Sequence, residues 1–302
     1  MDLIEMIVDE EAEGRIDAYL AKELDEVSRS YIQRLIKKEY ITVNGSNIKA
    51  KYKICEGDKI EIRLPKPKKL EVLPEDIDID IVYEDKDLAV VNKPRGMVVH
   101  PAPGNYSGTL VNALLYHLKS LSSINGIIRP GIVHRIDKDT TGLLMVAKNN
   151  FSHMGLSEQL KEHSINRRYW ALVNGNIRED SGTINAPIGR HPVDRKKMAV
   201  VHRNSRDAIT HFKVLKRFGD YTLIEAKLET GRTHQIRVHM SYISHPVVGD
   251  PVYGRKNEKY NLKGQLLHAK IIGFIHPRNE EYMEFDSELP NDFMRILNIL
   301  RK

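Results

Sequence analysis

Residues 131–148 constrain this chain more than any other stretch. Leu143 to Ala147 is a short apolar run of buried-strand length, and Gly131 and Gly142 bracket a polar tip. The pattern predicts an apolar strand, a charged turn and a second apolar strand. Arg135, Asp137, Lys138 and Asp139 crowd the turn between elements that read as interior. A carboxylate held there needs a cationic partner, or its ionised form is penalised by burial. Such an arrangement presents an ionised Asp to a substrate. A solvated turn carrying an ordinary ion cluster fits the same spacing. Asp137 and Asp139 lie two residues apart, so strand geometry would point both the same way.

The chain of 302 residues accommodates two domains, or one large domain with a small one attached. No run of 18 apolar residues occurs, so no membrane span is expected. The first residues lack the basic and apolar regions of a secretion signal. Cys55 is the single cysteine, which excludes an internal disulfide and a Cys-based zinc site and fits a reducing cytoplasm. The net charge of +6 favours anionic partners. Its distribution says more. Residues 1–27 hold ten Asp/Glu against two Lys/Arg, whereas residues 28–70 hold twelve Lys/Arg against four Asp/Glu.

Ile16, Tyr19 and Leu20 share one face of a predicted first helix. A second starts at Ser28 as N-cap, with Tyr31, Ile32, Leu35 and Ile36 as its apolar stripe. Arg29, Arg34, Lys37 and Lys38 lie mostly off that stripe and face water or phosphate. Ile41 to Val43 runs into an Asn44-Gly45 turn, and Gly57 to Ile62 alternates as a strand. Two short helices, a strand with a tight turn and a final Gly-Asp-Lys-Ile-Glu-Ile resemble the S4 RNA-binding domain over residues 13–64. The resemblance implies that the four cations contact RNA phosphates, which position RNA without reading its sequence. Pro65 and Pro67 stiffen a linker, placed at 65–75.

The remainder, 76–302, reads as a larger domain. Ile77 to Tyr83 alternates as a half-exposed strand, and Leu88 to Asn92 as a buried one ending in Lys93-Pro94-Arg95-Gly96. Helices are expected at 109–121 and 150–163, strands at 167–173, 221–228 and 265–275, and a terminal helix at 293–300. Gly189 to Met198 is a basic loop, either a solvated hairpin tip or an RNA-backbone clamp. After Glu229, strand alternation would group Ile236, Val238 and Met240, whereas a helix capped by Thr233 groups Ile236, Met240 and Ile243 and stops before His245-Pro246; the helix is expected. His234, His239 and His245 lack the spacing that puts two ligands on one helix face, so no metal is expected.

Three motifs in order resemble the pseudouridine synthases of the large ribosomal-RNA type. They are His134-Arg135-Ile136-Asp137 with Thr140-Thr141-Gly142-Leu143-Leu144, Arg167-Arg168-Tyr169-Trp170-Ala171, and Thr230-Gly231-Arg232-Thr233-His234-Gln235-Ile236-Arg237. Ile136 replaces the family's usual Leu, a volume-conserving change. The resemblance implies Asp137, not Asp139, as the catalytic carboxylate. It gives Arg237 as the salt-bridge partner of Asp137, Tyr169 as the ring that stacks on the base, and Arg135 as the side chain that fills the gap left by a flipped base. Lys93 to Gly96 corresponds to an early motif that supports and lines the site. The expected fold is α+β: a small S4 module plus a catalytic domain with a mixed, mainly antiparallel sheet and flanking helices. The implied activity is cofactor-independent conversion of uridine to pseudouridine in 23S ribosomal RNA by a cytoplasmic protein, taken as a monomer. The alternatives are the same chemistry on tRNA and a non-catalytic ribosome-associated RNA-binding factor.

Overall fold

The computed structural model describes residues 2–10, 12–24, 29–64, 72–102, 104–124, 129–194, 197–255 and 259–301. Two compact units divide the chain, Met1–Lys69 and Leu70–Lys302.

In the first unit, strands β1 (Asp2–Ile7), β2 (Ile41–Val43), β3 (Ser46–Asn47) and β4 (Lys59–Leu64) form an antiparallel sheet in the order β1-β4-β2-β3. Helices α1 (Ile16–Glu23) and α2 (Arg29–Lys37) bury Ile16, Leu20, Ile32, Leu35 and Ile36 together with Ile41, Val43, Ile60 and Ile62 of the sheet. The Asn-Gly turn adopts φ of 50° and 73°, both positive as a two-residue hairpin of this kind requires. Strand β1 lies ahead of the span 13–64 read from sequence, because β4 offers it a full edge from Lys59 to Leu64. The expected cap at Ser28 lies outside the described residues.

Arg29 departs from expectation. Asp17 is wholly buried on α1, and a buried carboxylate must be paired. Arg29 donates to it through Nε and Nη2 at 3.2 and 3.1 Å, alongside Arg15 and Gln33. These partners hold the Asp17 carboxyl below its usual range against the effect of burial. Arg29 therefore ties the two helices together instead of standing free for phosphate.

The second unit is built on a nine-stranded sheet. Its strands are β5 (Asp80–Glu84), β6 (Leu88–Lys93), β7 (Thr141–Ala147), β8 (Asn166–Asn174), β9 (Ser181–Asn185), β13 (Ile209–Arg217), β14 (Tyr221–Leu228), β15 (Leu267–Ile275) and β16 (Tyr282–Asp286). Eight of them run in the order β5-β6-β7-β15-β8-β14-β13-β9, and β16 pairs with β15. β7 and β15 are parallel, while the other pairs are antiparallel. A small sheet of β10 (Ile188–Arg190), β11 (Met198–Val200) and β12 (Ser205–Arg206) stands apart. Helices α3 (Leu110–His117), α4 (Asn150–Lys161), α5 (Gln235–Tyr242) and α6 (Asn291–Leu300) complete the unit. No described helix is long and apolar enough to cross a membrane.

Alternation sorts the central strands between two cores. Leu144, Val146, Tyr169 and Ala171 face one core with α3 and α5, which contribute Leu110, Leu114, Ile236 and Met240. Leu143 and Met145 face the other with Leu88, Val90 and Leu156. Gly142 has φ +111°, and a Cβ there would lie 2.3 Å from the carbonyl oxygen of Ala269, so only glycine lets β7 and β15 approach.

Three expected elements change. Residues 131–136 form no strand: β15 pairs with β7 only at Thr141 and Gly142, and along the edge left open at 143–147 the segment makes one bridge, Ile132 to Val146, before the His134 ring takes the N–H of Met145 in place of a backbone carbonyl. The helix expected at 109–121 stops at His117, after a start secured by a Thr109/Asn112 capping box. Of the linker placed at 65–75, residues 65–71 lie outside the described residues, whereas Val72 and Leu73 dock on the larger unit. Val72 joins its core, and Asn112 Nδ2 donates to the Leu73 carbonyl.

Candidate active site

The turn carrying Asp137 is built from behind. Lys93 ends β6 fully buried, and its ammonium donates to the carbonyls of Pro94, Met97 and Lys138 at 2.8, 2.9 and 3.0 Å. These three bonds use all three ammonium hydrogens. Burial nonetheless brings the Lys93 pKa down to about 7, with Asp139 and Asp137 opposing. Gly96 N–H also donates to the Lys138 carbonyl, and Arg95 Nη1 to those of Asp139 and Gln265. Lys93 to Gly96 thus braces the turn from its rear and does not line the cleft, a correction to the dual role expected from sequence. His134 likewise supports the loop. Its Nε2 accepts from Met145 N–H at 2.9 Å, and burial together with nearby Arg167 lowers its pKa to about 3, so the ring is neutral.

The turn delivers Asp137 to a cleft of about 580 Å³ that also receives Arg135, Tyr169, His234 and Arg237. Asp139 is absent from the cleft lining because residues 137–140 form a turn, not a strand, which separates the two carboxylates that sequence spacing left equivalent. Arg237 Nη1 donates to Asp137 Oδ2 at 2.8 Å. The same guanidinium donates through Nε and Nη2 to Asp250 at 2.6 and 2.9 Å. Asp250 has no exposed side-chain surface, and its Oδ1 also accepts from the N–H groups of Val252 and Tyr253. Burial works against the charge on Arg237, but the two carboxylates outweigh it and hold its pKa above the ordinary arginine value. Arg237 is therefore a fixed cation shared by a wholly buried carboxylate and one that is 23% exposed.

The second oxygen of Asp137, Oδ1, lies 4.0 Å from His234 Nε2. His234 caps α5 in the left-handed conformation at φ 58°, a place the sequence assigned to Thr233. Thr233 instead accepts from Arg135 Nη2 at 3.2 Å. The Tyr253 hydroxyl accepts from Met198 N–H and meets His234 Nδ1 at 2.9 Å, while the Tyr253 ring lies 5.2 Å from the Arg237 guanidinium. Burial lowers the His234 pKa, against the pull of Asp137. Tyr169 is buried on β8 with its phenol pKa raised by that burial.

Asp250 was not singled out by sequence, and His234 was weighed there only as a metal ligand, although it sits in the third motif. Arg34, Lys37 and Lys38 belong to the first unit, away from these residues in the chain. In the basic loop, which is a hairpin between β10 and β11, Arg195 and Lys196 lie outside the described residues. His239 is held in the core by Thr210 and Ala186, and His245 bonds the Asn174 carbonyl. Among the described residues, Asp85, Asp87 and His276 form the one cluster with metal-ligand donors close together. All three are engaged by protein: Asp85 by Tyr83 and His276, and Asp87 by Arg278 and Asn149.

Comparison with known proteins assigns this architecture. Residues 87–242 match the RNA pseudouridylate synthase family and residues 14–60 the S4 domain. The chain is 54% identical to the uncharacterized RNA pseudouridine synthase YlyB of Bacillus subtilis (strain 168), covering 100% of this chain and 99% of that one. It is 45% identical to the ribosomal large subunit pseudouridine synthase D of Zymomonas mobilis, over 95% of this chain and 93% of the relative. The structure of human RNA pseudouridylate synthase domain containing 1 aligns with a TM-score of 0.58 at 27% identity, over 78% of this chain and 98% of that one. The chain belongs to the RNA pseudouridylate synthase family. It is an RNA-modifying isomerase that converts uridine to pseudouridine, with an S4 domain as its second RNA-binding element.

Proposed function

We propose that the enzyme modifies uridines of 23S ribosomal RNA in the cytoplasm, acting as a monomer, with Asp137 as its catalytic carboxylate. The observation that carries the assignment is the Asp137–Arg237 ion pair, 2.8 Å long, in a cleft of strongly one-sided charge. Six cationic side chains, Arg129, Arg135, Lys161, Arg167, Arg232 and Arg237, line it against the single carboxylate of Asp137 among the described residues. Low-dielectric walls focus such a field, which suits a polyanion. The relative named for the ribosomal large subunit and the S4 domain support rRNA as the substrate.

The reaction breaks the bond from ribose C1′ to uracil N1 and forms one from C1′ to C5. The C5 proton leaves and N1 gains one, so no water is consumed. Asp137 acts either as nucleophile, at C1′ or at C6, or as the base that removes the ribose 2′ proton. In each route Oδ1 is the reacting oxygen, because Oδ2 is engaged by Arg237 and is the weaker base for it. Arg237 supplies the counter-charge that holds the carboxylate in place. Tyr169 stacks on the uracil while it turns. Arg135 occupies the stack vacated by the flipped base, whose extrusion costs about a few kcal/mol. Arg34, Lys37 and Lys38 supply phosphate contacts from the first unit, where residues 13–64 together with β1 form the RNA-positioning module.

Tritium release from 5-[³H]uridine-labelled 23S rRNA tests the reading. Wild type releases tritium and Asp137→Asn does not. Equal release by both would move the chemistry to another carboxylate, beginning with Asp139. Release from labelled tRNA but not from rRNA would replace the substrate and keep the mechanism.

A further inference from the structure

Arg167 has no part in the mechanism above, yet it is placed as a functional group. It stands two residues before Tyr169 on β8, and strand alternation turns both side chains to one face of the sheet. Both line the cleft. The intervening Arg168 faces the other way and meets Glu225 at 3.7 Å. Arg167 is 7% exposed. Among the described residues it makes one hydrogen bond, from Nη2 to the Glu229 carbonyl at 3.4 Å, and its buried Nε has no partner. A guanidinium this buried is unfavourable unless a counter-charge or a full set of acceptors compensates it. The chain nevertheless makes a slot for it: a Cβ on Gly231 would lie 2.9 Å from Arg167 Nη1, so the glycine of the third motif leaves room for the guanidinium.

We propose that Arg167 is the seat of a backbone phosphodiester of the substrate, belonging to the nucleotide whose base stacks on Tyr169. The planar guanidinium presents paired N–H donors that match two phosphate oxygens, and a phosphate at its cleft-facing edge would supply the missing charge. The shared face fits one nucleotide: the ring at Tyr169 takes the base, and the cation one pleat away takes the chain that leads to it. Gly231 and Arg167 thereby form one device, contributed by two motifs far apart in sequence. The assignment rests on the reading of Tyr169 and Asp137 given above, and it adds a contact that fixes the flipped nucleotide by its backbone.

The experiment compares wild type, Arg167→Gln and Arg167→Lys in the tritium-release assay on 23S rRNA across a range of salt concentrations. Loss of a charge-assisted contact lowers kcat/KM of Arg167→Gln by about tenfold or more, carried by KM. The slope of log(kcat/KM) against log[salt] becomes shallower by about 0.7–0.9, the signature of one phosphate fewer. Arg167→Lys keeps the charge, so it retains the wild-type slope while its KM rises through loss of the fork. A merely structural role would lower the melting temperature and kcat and leave the slope unchanged; an unchanged slope in Arg167→Gln overturns the proposal. Should Arg167→Gln not fold, a wild-type KM in Arg167→Lys overturns it instead. A wild-type enzyme inactive on rRNA and tRNA alike would overturn the functional reading beneath both.

Discussion

Replacing Asp250 by Asn tests whether Arg237 is aimed by the carboxylate behind it. Asp250 Oδ1 accepts from Arg237 Nη2 and from two backbone N–H groups, while Oδ2 accepts from Arg237 Nε. Every partner is a donor. An Asn amide that puts its NH₂ at the Oδ1 position faces three donors and at the Oδ2 position one, so at least one donor faces a donor whichever way it flips. Losing one charge-assisted bond at a buried pair, with the guanidinium left under-compensated, costs about 3 kcal/mol. For a unit of this size, about 2–4 °C per kcal/mol converts this to a fall in Tm of about 6–12 °C. The effect on rate is separate. With residue 250 neutral, Arg237 loses the fork that aims it and shifts toward Asp137, which displaces the carboxylate. A misplacement on the order of 1 Å is worth about a hundredfold, so kcat falls by that factor while KM for RNA changes little. Circular dichroism melting and single-turnover tritium release read the two effects independently. An Asp250→Asn variant with wild-type kcat would refute the claim that the buried fork positions Arg237, whatever its Tm.

Two further outcomes concern the scaffold. Gly142→Ala places a Cβ 2.3 Å from the Ala269 carbonyl oxygen at a positive φ, and forces β7 from β15; a loss of about 3 kcal/mol or more is expected in urea unfolding, and a variant as stable as wild type would show that the pair can relax apart. Acid stability follows Asp87, whose carboxyl is lowered to about 2 first by the Arg278 guanidinium, with Asn149 assisting and burial opposing. Because its folded pKa lies below the unfolded value of 3.8, its contribution is complete above that value and is lost as pH falls toward 2. The urea midpoint should therefore drop between pH 5 and pH 2.5 by more in wild type than in Asp87→Asn; equal drops would remove Asp87 from the acid response.

Local pattern determined much of this protein. The Asn44-Gly45 turn, the apolar run from Leu143 to Ala147 and the apolar face of residues 235–242 each depend on near neighbours, and each took the form their sequence predicts. The motif residues Asp137, Tyr169 and Arg237 were legible as a set because long motifs carry their chemistry with them. Tertiary structure alone decided the rest. Residues 131–136 read as a strand, but on the edge of β7 that β15 leaves open they make one bridge, Ile132 to Val146, and the His134 ring takes the next N–H, that of Met145. Arg29 read as a free cation until the fold buried Asp17 opposite it. Asp137 and Asp139 could be ranked only by resemblance until a turn sent one of them into the cleft. Asp250 carried no role in the sequence reading and Arg167 only a place in the second motif, since a carboxylate in a turn and an arginine in a strand are ordinary. Their significance comes from burial and from partners roughly ten to a hundred residues away along the chain, and charge energetics are set by that desolvated surrounding and not by sequence neighbours.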